Sequence, residues 1–506
     1  MDIDNPFLNS NKVSRSPPRS STSEKHIANL QITTMQQPSS NRTLSSEQQR
    51  NENCLTNIVL QETESTENQH EQPGNLVSFS AGTAISWASP EIEKLKEASI
   101  TTTASEESWV KAIFLLGAVF GTFPFGSLAD KIGRRKTLLS MGVPLVICFF
   151  IMAFVKSVGA FLVCRFIIGV VVGGVFTVMP MYIGEIADSS NRGVLAGLLN
   201  IFICLGILFS YAVGPYTNIV VFNIILALFP ALFLILFFIF SVESPRYLIG
   251  KQNISEAKVI LKRLRGSNAN IDSEVTFIEK ALKEEGKGGI MDIFRSSGNI
   301  KAFIIASGLI FFQQFSGINA VLSNTAPIFK AANAPISSDV CSILVGIFQL
   351  LSSFMSMSLI DRLGRKILLL ASGIGMVISE LPLGIYSYLD EKTDVNVKSI
   401  SFLPILCLLV YILTYNLGMG SLPWTIMGEL YPANVKSIAS SLTASFCWLL
   451  GFLIVYFFDP IKEAIGLGVC FLIFTVCCAA SIPFTKFFVI ETKGKTLEEI
   501  QQELNK

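Results

Sequence analysis

The sequence predicts an all-α membrane protein made of two similar six-helix bundles joined by a cytoplasmic helical linker. Three observations lead there. Half of the 506 residues are hydrophobic and only 15% are charged, whereas a soluble domain carries about a quarter charged residues. Apolar segments of about 20 residues, the length a helix needs to cross a 30 Å hydrocarbon core, recur along the chain. Three charged landmarks then repeat in the same order at a nearly constant offset.

In order, residues 1–74 contain 16 apolar side chains and are rich in Ser, Asn, Gln, Glu and Thr. Such a stretch cannot bury a core and is expected as a disordered cytoplasmic tail. Asn75–Trp87 (NLVSFSAGTAISW) follows, 13 residues or about 20 Å as helix, short of a bilayer. The first span is therefore expected to be short, lacking its cytoplasmic half. Eleven full spans are expected near 109–129, 137–156, 159–183, 194–213, 219–241, 302–329, 340–360, 367–388, 401–427, 437–458 and 464–485. Glycine and proline inside them, such as Gly169, Gly317, Pro180 and Pro423, are tolerable because neighbouring helices satisfy the freed backbone groups. The resulting organisation is an N-terminal bundle over 75–245, a linker over 246–301, a C-terminal bundle over 302–485 and a cytoplasmic tail over 486–506. The linker carries amphipathic stretches such as Ser255-Glu-Ala-Lys-Val-Ile-Leu-Lys-Arg-Leu264.

Charge sets the orientation. In a twelve-span count, the loops after the even spans hold 20 Lys and Arg, and the opposite loops hold seven. The basic loops are expected to be cytoplasmic. Net charge is +1, so no global field favours nucleic acid. The two histidines, His26 and His70, both lie in the polar tail. Ser-His-Asp, Cys-His and His-zinc chemistry are thereby excluded from the body of the chain. The ten cysteines lie mostly in apolar runs without metal-type spacing and read as small core residues. No metal and no cofactor are expected.

The halves repeat each other. Asp130-Lys-Ile-Gly-Arg-Arg-Lys136 recurs 231 residues later as Asp361-Arg-Leu-Gly-Arg-Lys366. Glu185 and Arg192 recur 244 later as Glu429 and Lys436, and Glu243-Ser-Pro-Arg246 has a looser echo in Glu491-Thr-Lys-Gly494. Parallel repeats about an axis normal to the membrane are a transporter architecture, with the substrate site between the halves. Asp130, Arg134, Arg135, Glu185, Arg192, Glu243 and Arg246, with Asp361, Arg362, Arg365, Glu429 and Lys436, form a candidate cytoplasmic gate and conformational switch. Carboxylate–guanidinium pairs there could hold helix ends together and part when that side opens. A second constellation is intramembrane: Gln313, Gln314 and Asn319 share one apolar segment. Amides donate and accept at once, so they can hold a polar ligand, and they serve equally as interhelical glue. Spacing alone leaves both readings open.

At these residues the chain resembles a family. Gly126-Ser-Leu-Ala-Asp-Lys-Ile-Gly-Arg-Arg135 resembles the loop signature of the major facilitator superfamily. Pro180-Met-Tyr-Ile-Gly-Glu185, Glu243-Ser-Pro-Arg246, Gln313-Gln-Phe-Ser-Gly-Ile-Asn319, Pro423-Trp424, Gly428-Glu429 and Glu491-Thr-Lys-Gly494 together look like its sugar-porter branch. Ser86-Trp-Ala-Ser-Pro90 and Leu422-Pro-Trp-Thr-Ile-Met-Gly-Glu-Leu-Tyr-Pro432 are worded like the insect facilitated trehalose transporters of that branch. The resemblance runs from about Ser80 to Leu497. Any one motif is moderately specific; six in order are very specific.

The resemblance implies the major facilitator fold, a small-molecule sugar as substrate, the plasma membrane as location and a monomer as the working unit. It places Gln313, Gln314 and Asn319 at the sugar, with Asn200 and Asn416 at further binding positions and Trp424 and Trp448 as stacking platforms. Arg165 aligns with the fourth-span arginine of sugar porters, which faces a first-span carboxylate in proton-coupled members. Here Thr83 holds that position, so facilitated diffusion of trehalose or a hexose is expected. The aromatic pair of an external gate is replaced by Ser323-Asn324. Lys111 is expected to snorkel at the outer end, and Glu380 to be structural. The altered gate and short first span leave a second reading open, a sugar sensor that kept the fold and lost transport. An enzyme finds no nucleophile–base pair or phosphate loop, and an organic-ion carrier would rest on Arg165 alone.

Overall fold

A computed structural model describes residues 73–97, 102–188, 192–266, 269–284, 289–331, 335–393, 397–432, 434–495 and 497–505. The expected polar tail up to residue 72 lies outside the described residues. Among the described residues there is no strand.

All eleven full spans are present as helices long and apolar enough to cross a membrane. The first half is built from α1 (residues 73–86), α2 (Ala88–Glu97), α3 (Ala104–Ile132), α4 (Arg134–Phe154), α5 (Val158–Ile186), α6 (Arg192–Val213) and α7 (Ile219–Phe240). Four short helices follow: α8 (Pro245–Gly250), α9 (Ile254–Arg265), α10 (Ile271–Glu284) and α11 (Ile290–Ile293). The second half is α12 (Ser297–Phe315), α13 (Ile318–Ser323), α14 (Thr325–Ala331), α15 (Ser338–Leu363), α16 (Arg365–Lys392), α17 (Leu403–Leu417), α18 (Leu422–Leu430), α19 (Lys436–Ile465) and α20 (Leu467–Phe487). The terminal α21 (Leu497–Asn505) closes the chain.

The first span corrects the expectation of a missing half. Only Trp87 interrupts the helix between residues 73 and 97, 25 residues or about 37 Å of rise. Gly74 already abuts Met179 and Phe237, near the cytoplasmic ends of α5 and α7. Pro90 packs on Gly214 beyond the opposite end of α6. The segment looked too short because its polar residues broke the apolar run. Asn75, Ser78, Ser80, Thr83 and Ser86 are all buried inside the bundle, not in lipid. Ser80 donates to the Leu76 carbonyl, Thr83 to that of Ser80 and Ser86 to that of Gly82, so these hydroxyls are satisfied within their own helix. Close approach to α6 seats the segment: a Cβ on Gly82 would strike the Ile203 carbonyl, and one on Gly206 the Phe79 carbonyl.

Among the described residues each bundle has an apolar core, and a third, small cluster of Leu248, Ile249, Ala257, Leu261 and Val275 holds the linker helices together. One bundle core spans Val77 to Leu264 and takes in Trp448 and Val455 from the second half. The other spans Ile293 to Leu504 and takes in Ile203, Ile207 and Tyr211 from α6. The halves therefore meet along α3 on α19 and α6 on α15. The central site lies where these two seams flank the broken helix α12–α13.

Candidate functional site

The cytoplasmic constellation is built twice. In the first half Arg134 places Nε 2.8 Å and Nη2 3.0 Å from the Glu185 carboxylate, with Asp130 3.1 Å away. Ser244 donates to the same Glu185. Glu243 does not pair with a guanidinium. Its Oε1 accepts the backbone N–H groups of Arg134 (2.8 Å), Arg135 (3.1 Å) and Ser244 (3.0 Å), capping the start of α4. In the second half Arg365 Nη2 lies 3.0 Å from Glu429, and Thr492 donates to Glu429 at 2.5 Å. Glu491 accepts from the N–H groups of Arg365 (2.9 Å) and Lys366 (3.0 Å), capping α16. Gly133 and Gly364 open these two helices at φ +101° and +89°, and a side chain at either would strike the capping carboxylate. Burial of Glu491 would push its carboxyl up. The N–H groups of Lys493, Arg365, Lys366 and Thr492 outweigh it and hold the group below its ordinary value of 4.5.

The remaining expected gate residues divide. Arg135 donates to the Phe238 carbonyl (2.6 Å) and to Ser241 (2.9 Å) rather than to a carboxylate. Arg246 acts on Glu185 electrostatically. Arg362 is exposed, and its carbonyl accepts from Lys493 at 2.8 Å. Lys436 is exposed. The side chains of Arg192 and Asp361 lie outside the described residues. Sequence reasoning missed Arg265, which reaches from α9 to the carbonyls of Ile186 (2.8 Å) and Ala187 (3.3 Å) and to Glu274 (3.1 Å). It anchors the linker to the cytoplasmic end of α5.

At the centre, Gly317 at φ +81° breaks the helix between α12 and α13. The break brings together the amides that regular spacing would have spread around the helix. Asn319 donates to Gln314 Oε1 at 2.5 Å, and Gln314 donates to Cys447 Sγ at 3.0 Å. Gln313 donates to the carbonyls of Met419 (2.7 Å) and Gly420 (3.0 Å). The Met419 carbonyl lies four residues before Pro423, which has no N–H to offer it. Gln313 and Gln314 are buried and Asn319 is half-buried. Asn200 turns to the seam between the halves and donates to Ser353 at 3.2 Å. Asn416 is buried and donates to its own helix at Ile412 (2.9 Å). Trp424 is half-buried, whereas Trp448 is buried, and its indole Nε1 has no hydrogen-bond partner among the described residues. Between them stands Phe176 of α5, 6.2 Å from the Trp424 ring and 5.1 Å from that of Trp448. Phe176 and Cys447 were missed because nothing in their own segments marks an inward direction.

The opposite end, which the loop charges assign to the outside, is shut. Lys111 is 6% exposed and does not snorkel: its Nζ lies 2.5 Å from Asp459 and 2.7 Å from Asn324 Oδ1. Lys462 also holds Asp459, at 3.0 Å. Ser89 accepts from the Ala326 N–H (3.3 Å), and Tyr211 donates to the Leu322 carbonyl (2.7 Å). Trp109 stacks near Tyr456, 4.7 Å between centroids. Towards the cytoplasm Gly184 and Gly428, equivalent in the repeat, both face open space.

Arg165 is buried against two carbonyls, Ala84 (2.6 Å) and Val110 (3.3 Å), between the rings of Trp87 and Phe114. Thr83 turns to its own helix. Glu380 is fully buried within the second bundle and accepts from Cys478 at 3.3 Å.

The "Sugar (and other) transporter" family matches residues 34–504. A facilitated trehalose transporter Tret1-1 of Drosophila simulans is 35% identical over 437 residues, 85% of this chain and 51% of that one. The chain thus spans about half the length of the first Drosophila relatives. The Tret1 of Bombyx mori is 34% identical over 433 residues, 84% of each chain. The proton:xylose symporter XylE, solved with 6-bromo-6-deoxy-D-glucose, superposes with a TM-score of 0.74 at 24% identity, covering 87% of this chain and all of that one. At that identity the likeness is one of fold: two pseudo-symmetric bundles of the major facilitator type. With the family matched over nearly its whole length, the chain belongs to the sugar transporter family and is a multi-pass membrane protein.

Proposed function

We propose that the protein carries trehalose or a hexose across the plasma membrane by facilitated diffusion, with the two halves rocking about a central site. The carrying observation is the amide cluster of Gln313, Gln314 and Asn319 at the helix break, bonded to Cys447 beside Trp448, whose ring meets Phe176 of the other half. Sugars need both donors and acceptors on their hydroxyls and an apolar platform under the ring. The trehalose named for the relatives supports the substrate class. Arg165 supports diffusion without proton coupling, because its Nε and Nη1 donate to backbone carbonyls and its faces lie against aromatic rings. A closed outer end with space beside Gly184 and Gly428 fits one end state of an alternating-access cycle. The twin cytoplasmic clusters each tie helices of one half together, so they would keep each bundle rigid as the halves rock. The sensor reading loses its main support, since the first helix runs unbroken but for Trp87. Uptake of labelled trehalose and glucose into oocytes tests the proposal. Saturable uptake that is unchanged by a protonophore is expected. No uptake of either sugar, with the protein detected at the surface, sinks it.

A further inference from the structure

We propose that Phe176 sets the size of the sugar that the central site admits, and holds it to a single pyranose ring. The inference rests on the reading that this site takes a sugar. Phe176 lies on α5 one turn before Pro180, which has no N–H for the Phe176 carbonyl, so the helix is loosened at that turn. The ring is half-buried and is one of the few side chains packed against both apolar cores. It meets Trp448 edge-on, at 80° and 5.1 Å, and lies at 41° and 6.2 Å from Trp424.

These separations are those of aromatic rings already in contact, about 4.5–7 Å between centroids. Nothing as thick as a pyranose fits between Phe176 and either tryptophan. Trp424 and Trp448 both come from the second half, and Phe176 comes from the first. The phenylalanine therefore fills, from the opposite bundle, the gap in which a second sugar ring could reach the second indole. One ring can still stack on the half-buried Trp424 beside the amides. The unpartnered Trp448 Nε1 is a buried donor next to this gap. It marks a place where an incoming hydroxyl would gain a bond that the empty site does not make. Close by, Thr122 and Ser445 meet at 2.5 Å across the same seam. With Phe176 withdrawn, a disaccharide would find a second ring position and a free indole N–H together.

The test is uptake of glucose and trehalose by wild type, Phe176→Ala and Phe176→Ile in oocytes, normalised to surface protein. Wild type is expected to favour glucose. Phe176→Ala should raise the trehalose-to-glucose ratio of kcat/KM by about tenfold or more, as a pocket enlarged by a ring would. Phe176→Ile, which keeps an apolar contact with both cores, should fall between the two and serves as the readout if the alanine variant fails to reach the surface. An unchanged ratio in a variant that still carries glucose overturns the proposal, as does a wild type that already carries trehalose as fast as glucose. Flux of neither sugar in wild type fails the sugar reading itself, and takes this inference with it.

Discussion

The two ends of the molecule are held by charge in different ways. At the cytoplasmic end the clusters come in duplicate, Arg134–Glu185–Ser244 and Arg365–Glu429–Thr492, and each ties helices of one half together. At the outer end the charge crosses between halves: among the described residues, Lys111 of the first half reaches Asp459 and Asn324 of the second. A pair inside one bundle can persist while the bundle moves as a rigid body. A pair between bundles must break whenever that end opens. The duplicated charges are therefore stability elements first, and those that bridge the halves belong to the cycle.

The largest expected effect breaks this comparison on the stability side. Arg134→Ala takes from Glu185 the cation it is bonded to and leaves it only the longer-range field of Arg246, at a position where Arg134 is buried. Losing one partner of a buried pair costs about 3–5 kcal/mol, so a lowered Tm in detergent and poor surface yield are expected. A Tm within experimental scatter of wild type would remove the stability role. Gln313→Leu comes next, because it strips the Met419 and Gly420 carbonyls of their donor. An unsatisfied buried acceptor costs about 1–3 kcal/mol. Thermal stability should fall and sugar KM should rise; an unaltered KM would put this amide outside the sugar site.

The outer pair should behave in the opposite sense. Lys111→Met is expected to lower Tm less than Arg134→Ala does, since Asp459 keeps Lys462 and only the Asn324 side-chain carbonyl loses its donor, yet to favour opening outwards. Exchange and zero-trans uptake should then diverge by several-fold. The charge swap Lys111→Asp with Asp459→Lys should restore much of the balance, and a swap no better than the single variants would argue against a direct pair. The smallest effect is that of acid on Glu491. Its folded-state carboxyl lies below the ordinary value of 4.5, so the stability it contributes is complete above that value. It is lost as pH falls through the depressed folded value. Glu491→Gln should flatten the acid limb of a Tm–pH curve, and an identical limb would show that the cap does not matter.

Much of this was legible in the sequence, for identifiable reasons. The eleven apolar spans follow from length and composition, which are local properties. The twin clusters follow from repeated wording, since Asp130 to Arg135 and Asp361 to Lys366 occupy the same place in two copies of one unit. The amides at 313, 314 and 319 stood out as polar residues in an apolar run. The first span read as too short, because its polar stripe is shielded by α5, α6 and α7 rather than by its own composition. Asn200 and Asn416 turned away from the amide cluster for a similar reason, each finding a nearer acceptor at the seam or in its own helix.

The sequence by itself determined that the chain crosses the membrane about twelve times, with its basic loops on one side and its two halves alike. Hydrophobic run length and charge placement act on each segment separately, so no fold is needed to read them. Only the tertiary structure decided which charges join the halves, and that Phe176 stands between two tryptophans of the opposite bundle. These depend on side chains hundreds of residues apart meeting across a seam. Their energies come from burial and partner geometry, which no single segment contains.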